Sequence, residues 1–265
     1  TAATSGGSFN LGSGTDILTL ANFNNTLSLN GSVETVVGGN ANDTIALSAT
    51  VTGAVYNLGA GTDKLTLLAT GSGANSLALS GVESVLGGSG ADAVTLTTQT
   101  TAGNFNLGSG ADTLTLGNFD NTLTATGVET IVGDNGNDTV TLGAGLSGVT
   151  SLVLGAGTDI LNLANAANTI TLGSDIETVT GNSANDAITL NAAVNGNVYN
   201  LGGGTDALTL SGAGNTVTLS GVETLTGSSG ADLVTLSSAQ SSGTYDLGSG
   251  VDVLTLATGV NTRTG

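Results

Sequence analysis

Residues 87–116 read GGSGADAVTLTTQTTAGNFNLGSGADTLTL, and this stretch contains the features that decide the fold. It holds two Gly-rich turns, each ending in an aspartate (Asp92 or Asp112), and each followed directly by a short segment, AVTL or TLTL. In these segments Leu or Val alternates with small or polar residues, which is the period of a strand with one buried face. Glycine is too dense for helices. We therefore expect short strands joined by Gly-rich turns.

The same turn recurs along the whole chain with a period of about 47 residues. A first series reads LGxGxD, and its aspartates are Asp16, Asp63, Asp112, Asp159, Asp206 and Asp252. A second series lies between them, and each of its aspartates follows a glutamate by nine residues. These pairs are Glu34/Asp43, Glu83/Asp92, Glu129/Asp138, Glu177/Asp186 and Glu223/Asp232.

The spacing of the aspartates predicts how the strands stack. The shorter interval, such as Asp92 to Asp112, holds two strands and predicts one coil, whereas the longer interval, such as Asp112 to Asp138, holds three strands and predicts another. Two coils then make one repeat. Because each coil can bury its apolar face only against its neighbours, we expect an all-β, right-handed parallel β-solenoid, or β-roll. All eleven aspartates would lie on one edge, about 4.8 Å apart.

The repeat has no interruption, so we expect residues 1–265 to form one continuous solenoid of about five and a half repeats. We also expect the chain to be a segment of a longer protein.

An asparagine begins the third strand of each repeat. We expect these amides to form a hydrogen-bonded ladder along the axis, the alternative being that asparagine merely suits the turn. The asparagines are Asn25, Asn75, Asn121, Asn168, Asn215 and Asn261.

Seven residues before most first-series aspartates there is an aromatic side chain, and Leu152 takes its place once. We expect this column to pack in the core rather than to form a platform for sugars. The aromatic residues are Phe9, Tyr56, Phe105, Tyr199 and Tyr245.

The composition excludes several classes of function. The chain has 20 acidic and 2 basic residues, a formal charge of −18, and no Cys, His, Met, Trp or Pro. It therefore lacks a thiol nucleophile, a Ser-His-Asp triad and the usual zinc ligands. The lack of basic residues argues against nucleic acid as a partner. Apolar runs are too short to span a bilayer, so we expect no membrane insertion.

Residues 87–95, GGSGADAVT, match the nonapeptide GGxGxDxUx at every defined position. Here the sequence resembles the RTX, or haemolysin-type, calcium-binding repeat family of secreted bacterial proteins. The resemblance implies a parallel β-roll whose turns bind Ca²⁺ through glycine-region carbonyls and aspartate carboxylates. Related turns cover the full chain, although they are 20 to 29 residues apart and Leu replaces the first Gly in the first series.

The implied calcium ligands are the eleven aspartates of the two series and the glycines of their turns. These glycines are Gly12, Gly14, Gly59, Gly61, Gly88, Gly90, Gly108, Gly110, Gly155, Gly157, Gly202, Gly204, Gly248 and Gly250. Ala replaces the later Gly before Asp43 and Asp186, so we expect the weakest sites there. We accordingly expect Asp92→Asn to weaken calcium retention more than Asp43→Asn.

A charge argument points to a cation independently of the resemblance. Two carboxylates about 4.8 Å apart repel by about 0.9 kcal/mol at a dielectric constant of 80 and by about 3.5 kcal/mol at 20. The side chains must therefore lie further apart, be protonated or have a cation between them. With only two basic residues in the chain, such a cation would come from solution, and Ca²⁺ suits carboxylate and carbonyl oxygens. The alternative is that each aspartate accepts hydrogen bonds from N–H groups of its own turn, with no ion.

The glutamates of the second series form a further column. They could complete a metal shell or form a surface stripe that meets another molecule through ions. We favour a third interpretation, in which they are solvated corner residues.

The uniform repeat and the acidic surface predict a structural or adhesive segment. The resemblance implies that it is calcium-stabilised and belongs to an extracellular bacterial protein, such as an S-layer, biofilm-matrix or adhesin component. The resemblance implies secretion to the cell surface. The expected partners are calcium ions, with further copies of the chain, side by side or end to end, or cell-surface glycans. We expect no enzymatic activity, because every repeat offers the same side chains.

Two alternative functions remain open from the sequence. One is an ice-binding solenoid that presents a single column of outward threonines, interrupted once by Asn162. The threonines are Thr19, Thr66, Thr115, Thr209 and Thr255. The other is a polysaccharide-acting β-helix enzyme, for which a pair of carboxylates would be the catalytic groups.

Overall fold

The computed structural model describes residues 2–68, 73–146, 151–240 and 242–259. The chain divides into two compact units, 1–136 and 137–265. Within the described residues every regular element is a β-strand, and none is a helix that could cross a membrane. Asn261 of the expected asparagine ladder lies outside the described residues.

Unit 1 contains the first fourteen strands of the described residues. They are β1 Ser5–Phe9, β2 Ile17–Thr19, β3 Thr26–Leu29, β4 Thr35–Gly39, β5 Thr44–Leu47, β6 Thr52–Gly59, β7 Lys64–Thr66, β8 Ser76–Ser80, β9 Ser84–Gly88, β10 Ala93–Leu96, β11 Gly103–Gly108, β12 Thr113–Thr115, β13 Thr122–Thr126 and β14 Thr130–Asp134.

In unit 1 each strand pairs in parallel with the second strand after it. The odd-numbered strands β1 to β13 form one sheet in sequence order. The even-numbered strands β2 to β14 form the other sheet. Consecutive strands therefore always lie in different sheets, and each coil of this parallel β-solenoid contains two strands.

Unit 2 has the same organisation. Its strands are β15 Thr139–Leu142, β16 Ser151–Gly155, β17 Ile160–Asn162, β18 Thr169–Leu172, β19 Thr178–Thr180, β20 Ala187–Leu190, β21 Asn195–Asn200, β22 Ala207–Thr209, β23 Thr216–Ser220, β24 Thr224–Ser228, β25 Leu233–Leu236, β26 Thr244–Gly248 and β27 Val253–Thr255. The odd strands β15 to β27 pair in parallel in sequence order. The even strands β18 to β26 do the same.

The expected fold class is confirmed, because both units are all-β parallel solenoids of stacked strands. The expected division of a repeat into a two-strand coil and a three-strand coil is wrong. A repeat does contain five strands, but two strands per coil spread them over two and a half coils. Equivalent residues of successive repeats consequently fall on opposite sheets: Asn25 precedes β3, whereas Asn75 precedes β8.

The core lies between the two sheets of each unit and consists of aligned apolar side chains. In the odd sheet of unit 1, Leu27, Ile45, Leu65, Val85 and Phe105 stand in register on five successive strands. All five are buried. The alternation of apolar and polar residues in the sequence therefore corresponds to alternation between core and solvent along each strand.

The aromatic residues belong to this core, as expected, but they do not form one column. Tyr56, Phe105 and Tyr199 are fully buried, whereas Phe9 and Tyr245 are partly exposed. Within unit 1, Tyr56 lies in β6 of the even sheet and Phe105 in β11 of the odd sheet. Because each repeat spans two and a half coils, the aromatic side chain of the next repeat lies in the other sheet.

Candidate cation-binding edges

Each unit has two edges on which the chain passes between the sheets. We call the edge where odd-numbered strands begin the odd edge, and the edge where even-numbered strands begin the even edge. In unit 1, Asp43 and Asp63 directly precede β5 and β7 on the odd edge, whereas Asp92 and Asp112 directly precede β10 and β12 on the even edge. The expectation that all eleven aspartates share one edge is therefore wrong, because each repeat advances the chain by a half-integral number of coils.

On the odd edge of unit 1, four side chains of successive coils form a ladder of hydrogen bonds. The backbone N–H of Asn25 donates to Oδ1 of Asp43 (2.9 Å), and the N–H of Asp43 donates to Oδ1 of Asp63 (2.6 Å). The N–H of Asp63 in turn donates to Oε2 of Glu83 (2.8 Å). Each side-chain oxygen thus accepts the backbone N–H of the ladder residue one coil earlier. That N–H lies just before its strand begins, outside the hydrogen bonds of the sheet.

This Asn–Asp–Asp–Glu ladder recurs with the same bonds on both edges. Complete ladders within one unit are Asn25–Asp43–Asp63–Glu83, Asn75–Asp92–Asp112–Glu129 and Asn168–Asp186–Asp206–Glu223. Shorter runs of the same bonds are Asp16–Glu34, Asp138–Asp159–Glu177 and Asn215–Asp232–Asp252. The ladder bonds of the aspartates thus run between coils. The alternative of an aspartate bonded to an N–H of its own turn applies to Asp232, whose Oδ2 accepts the N–H of Ser228 (3.3 Å).

The asparagines begin the ladders and do not stack on one another. The Nδ2 group of Asn25 donates to Oδ1 of Asp43 (2.9 Å) and to the carbonyl oxygens of Ala21 and Phe23 (2.9 and 2.6 Å). Its Oδ1 accepts the N–H of Thr4 (3.0 Å). Asn25 is 1% exposed, so this amide satisfies buried polar groups at the start of the ladder. The expected ladder of identical amides is wrong, since Asn25 and Asn75 lie on opposite edges.

We expect Asn168→Ala to lower the free energy of unfolding by about 3 kcal/mol, because it removes one acceptor and leaves buried groups unpaired. The lost bonds join Asn168 to Oδ1 of Asp186 and to the N–H of Leu146, among others. Urea unfolding measures the change. The control is Asn165→Ala in the same turn, where the side chain is exposed. Equal losses in the two variants would contradict the structural role of the buried amide.

The Gly-rich turns of the two series stack in pairs and differ in backbone conformation. On the odd edge of unit 1, the turn that ends at Asp63 lies directly over the turn that ends at Asp43, and the N–H of Ala60 donates to the carbonyl oxygen of Gly39 (2.9 Å). Among the expected site glycines, those of the first series have positive φ, for example Gly61 at 145°. The second-series glycines Gly88 and Gly90 do not have positive φ.

This difference in backbone conformation removes the reason for expecting weaker calcium binding at Asp43 than at Asp92. The ranking assumed that Ala before Asp43 prevents a positive φ that Gly90 supplies before Asp92. Since Gly90 does not use a positive φ, the backbone gives no reason to place Asp43 below Asp92.

The second carboxylate oxygen of most ladder aspartates is buried and accepts no hydrogen bond. These Oδ2 atoms belong to Asp16, Asp43, Asp63, Asp92, Asp112, Asp159, Asp186 and Asp206. Asp232 differs, since its Oδ2 accepts the hydroxyl of Ser228 (3.1 Å). A buried ionised oxygen without a partner has a large desolvation cost. We therefore expect each of these atoms to bind a proton or a cation.

Four of the first-series aspartates have a raised pKa. Burial, together with the neighbouring aspartate and glutamate carboxylates, raises the pKa of Asp63, Asp112, Asp159 and Asp206 to about 6. The hydrogen bond from the backbone N–H of the preceding aspartate acts in the opposite direction but is the smaller effect. Each of these residues is the middle carboxylate of an Asp–Asp–Glu run, so the carboxylates on both sides add to the effect of burial.

The glutamates end the ladders. Glu83, Glu129 and Glu223 are half-buried, and one oxygen of each accepts the N–H of the first-series aspartate one coil earlier. They lie at the corners between strands and are partly exposed, as we favoured from the sequence, and in addition one oxygen of each belongs to the ladder. The glutamates were not among the expected site residues, although their fixed nine-residue spacing from an aspartate was a signal of their position.

The expected column of threonines is also divided between the sheets. In unit 1, Thr19 and Thr115 lie in even strands β2 and β12, whereas Thr66 lies in odd strand β7. In unit 2, Thr209 lies in even strand β22 and Thr255 in odd strand β27. The observation that motivated an ice-binding surface, one continuous column on one face, is thus absent from these residues.

The ladders fit calcium in their donor chemistry. Among the described residues, no group of three or more acidic side chains is arranged to hold a metal by itself. A cation would therefore combine aspartate oxygens with main-chain carbonyl oxygens of the turns, and Ca²⁺ accepts this mixed set. The unpartnered Oδ2 atoms are the groups that such an ion would satisfy.

No protein-family model, no curated protein and no solved structure matches this chain.

Proposed function

We propose that this chain is a calcium-stabilised structural or adhesive segment of an extracellular bacterial protein. The observation that carries the proposal is the stack of buried carboxylates in successive coils, such as Asp43 and Asp63, whose Oδ2 atoms have no partner. The chain carries a charge of −18 and only two basic residues, so the compensating charge comes from solution. In this proposal the coils of each unit are held together by ions at their edges.

The cellular setting follows from the resemblance to RTX repeats. In this proposal the segment belongs to a secreted protein of the cell surface, in an S-layer, a biofilm matrix or an adhesin. Calcium is abundant enough outside the cell to occupy sites of moderate affinity. The segment has no catalytic role and contributes length, rigidity and a surface for copies of itself or for surface glycans.

The test is thermal melting of the chain in EGTA, in excess Ca²⁺ and in excess Mg²⁺. One site filled at 100 times its Kd adds about 2.7 kcal/mol, because the ion binds only the folded state. For a chain of this size that corresponds to a rise in Tm of about 5–10 °C for each site. Mg²⁺ should restore less, since it demands a smaller octahedral shell.

Elemental analysis of the dialysed protein supplies the second readout. We expect retained calcium that EGTA removes. Equal melting temperatures in all three conditions, with no calcium retained, would overturn the proposal.

A further inference from the structure

The pairing of the Gly-rich turns has a consequence for how many ions the chain holds. Two of the strand connections in a repeat end in an aspartate directly before the next strand, and these two turns stack directly on each other on one edge. On the odd edge of unit 1 the pair ends in Asp43 and Asp63, and on the even edge it ends in Asp92 and Asp112. The next coil on each edge presents a glutamate on a short connection instead.

We propose that each stacked turn pair binds one divalent cation between the Oδ2 atoms of its two aspartates, and that the pairs act as separate sites. This rests on the proposed function, since it concerns the same carboxylates. In this proposal the ions do not form a continuous row along one edge. They occupy isolated sites, about one for each repeat, and successive sites lie on alternate edges.

The distances favour one ion for each pair. Successive coils of a parallel sheet are about 4.8 Å apart. A calcium ion lies about 2.3–2.6 Å from each oxygen ligand, so two oxygens on opposite sides of it are about 4.6–5.2 Å apart. One ion thus spans the gap between two carboxylates in successive coils, with turn carbonyl oxygens completing its shell.

Both aspartates of a pair have an oxygen available for this ion. Asp43 and Asp63 are 1% and 0% exposed, and the Oδ1 atom of each accepts a backbone N–H from the coil before. Their Oδ2 atoms remain buried without a partner. Asp92 and Asp112 repeat this arrangement on the other edge, and Asp186 and Asp206 repeat it in unit 2.

The residues on either side of a pair do not extend the site. At one end the amide of Asn25 is neutral, and its Nδ2 already donates to Asp43. At the other end Glu83 is half-buried and has no buried oxygen without a partner. The pair Asp232 and Asp252 is also excluded, because the Oδ2 atom of Asp232 accepts the hydroxyl of Ser228.

Counting ions in double variants tests the inference. The full chain is equilibrated with Ca²⁺, and bound ions per chain are counted by native mass spectrometry and by elemental analysis after dialysis. Asp43→Asn and Asp63→Asn should each remove one ion, and the double variant should still lack only one. Asp43→Asn combined with Asp92→Asn should lack two, because these residues belong to different pairs.

The substitutions preserve the fold, since Asn keeps an oxygen that can accept the same backbone N–H, and the β-sheet signal in circular dichroism checks this. Asp134→Asn is the matched control: it removes an exposed charge outside the ladders and should remove no ion. The pair Asp92→Asn and Asp112→Asn provides the same test on the even edge.

The outcomes separate this inference from the proposed function. If the double variant Asp43→Asn/Asp63→Asn lacks two ions, or the unmodified chain binds about as many ions as it has aspartate turns, pairwise sharing is wrong although calcium still binds. If the unmodified chain retains no calcium, both fail. A loss of one ion in each single variant and in the same-pair double variant supports the inference.

Discussion

In calcium-free buffer of low ionic strength, the protein is expected to become less stable as the pH rises from about 4 to about 6, and to stay at the lower stability above that. Four buried aspartates determine this result, since the pKa of Asp63, Asp112, Asp159 and Asp206 is raised from 3.8 to about 6. Between these two values the folded chain binds more protons than the unfolded chain. Raising the pH through this interval therefore removes stability from the folded state.

The expected size is large for a chain of this kind. A full shift of this size corresponds to about 3 kcal/mol for each group, which water and salt near the edges reduce to about 1–2 kcal/mol. The four groups together then contribute about 4 kcal/mol or more, a large share of an ordinary folding free energy of about 5–15 kcal/mol. Urea unfolding in EGTA at several pH values between about 4 and 8 measures it.

Two variants assign the effect to the ladders. Asp63→Asn imitates the protonated side chain, so in EGTA near pH 7.5 it should be more stable than the unmodified protein and should depend less on pH. Asp134→Asn removes an exposed charge outside the ladders and should leave the pH dependence unchanged. A stability that does not vary with pH in EGTA, or a pH dependence that Asp63→Asn leaves intact, would contradict the raised pKa values.

Gly59→Ala is expected to disrupt unit 1 more than any conservative surface change. Gly59 has φ +92°, and a Cβ atom there would overlap the carbonyl oxygen of Gly39 in the neighbouring coil. That oxygen already accepts the N–H of Ala60, so it cannot move away without breaking a bond between coils. Backbone strain of about 1–3 kcal/mol and overpacking of about 1–3 kcal/mol add to an expected loss of about 4 kcal/mol.

The chain supplies a matched control at Gly12. This residue occupies the same position of an earlier first-series turn and has φ +99°, but a Cβ atom there would meet nothing within 4 Å. Gly12→Ala should therefore cost only the left-handed strain, about 1–2 kcal/mol. Thermal melting of the two variants side by side separates the cost of conformation from the cost of close stacking. Similar melting temperatures would contradict the close approach of the turns at Gly59.

The sequence by itself determined the local features of this protein. Alternation of apolar and polar residues after each aspartate predicts the strands, such as β10 and β12, and Gly with Asp predicts the turns between them. It also predicts burial of Tyr56 and Phe105, because a large aromatic residue at a fixed place in every repeat belongs to the core. These features depend only on the chain within a few residues, so a single sequence contains them.

The signal for the ladders was also present, in spacings of about one coil. Asn25 is 18 residues before Asp43, and Asp43 is 20 residues before Asp63, which in turn is 20 residues before Glu83. Four polar residues in a row at this spacing indicate one column on one edge. Because the column mixes asparagine, aspartate and glutamate, it does not stand out as a repeat of one residue type.

Only the tertiary structure decided which sheet each strand joins. The alternation in β5 of one sheet is the same as that in β10 of the other, so the local pattern does not distinguish them. Whether a connection crosses to the opposite sheet depends on how two apolar faces close over one core, which is a property of the packed coils. With five strands to a repeat and two to a coil, each repeat starts on the opposite side from the last. That half coil places Asp63 and Asp112 on different edges and divides the carboxylates into separate short ladders.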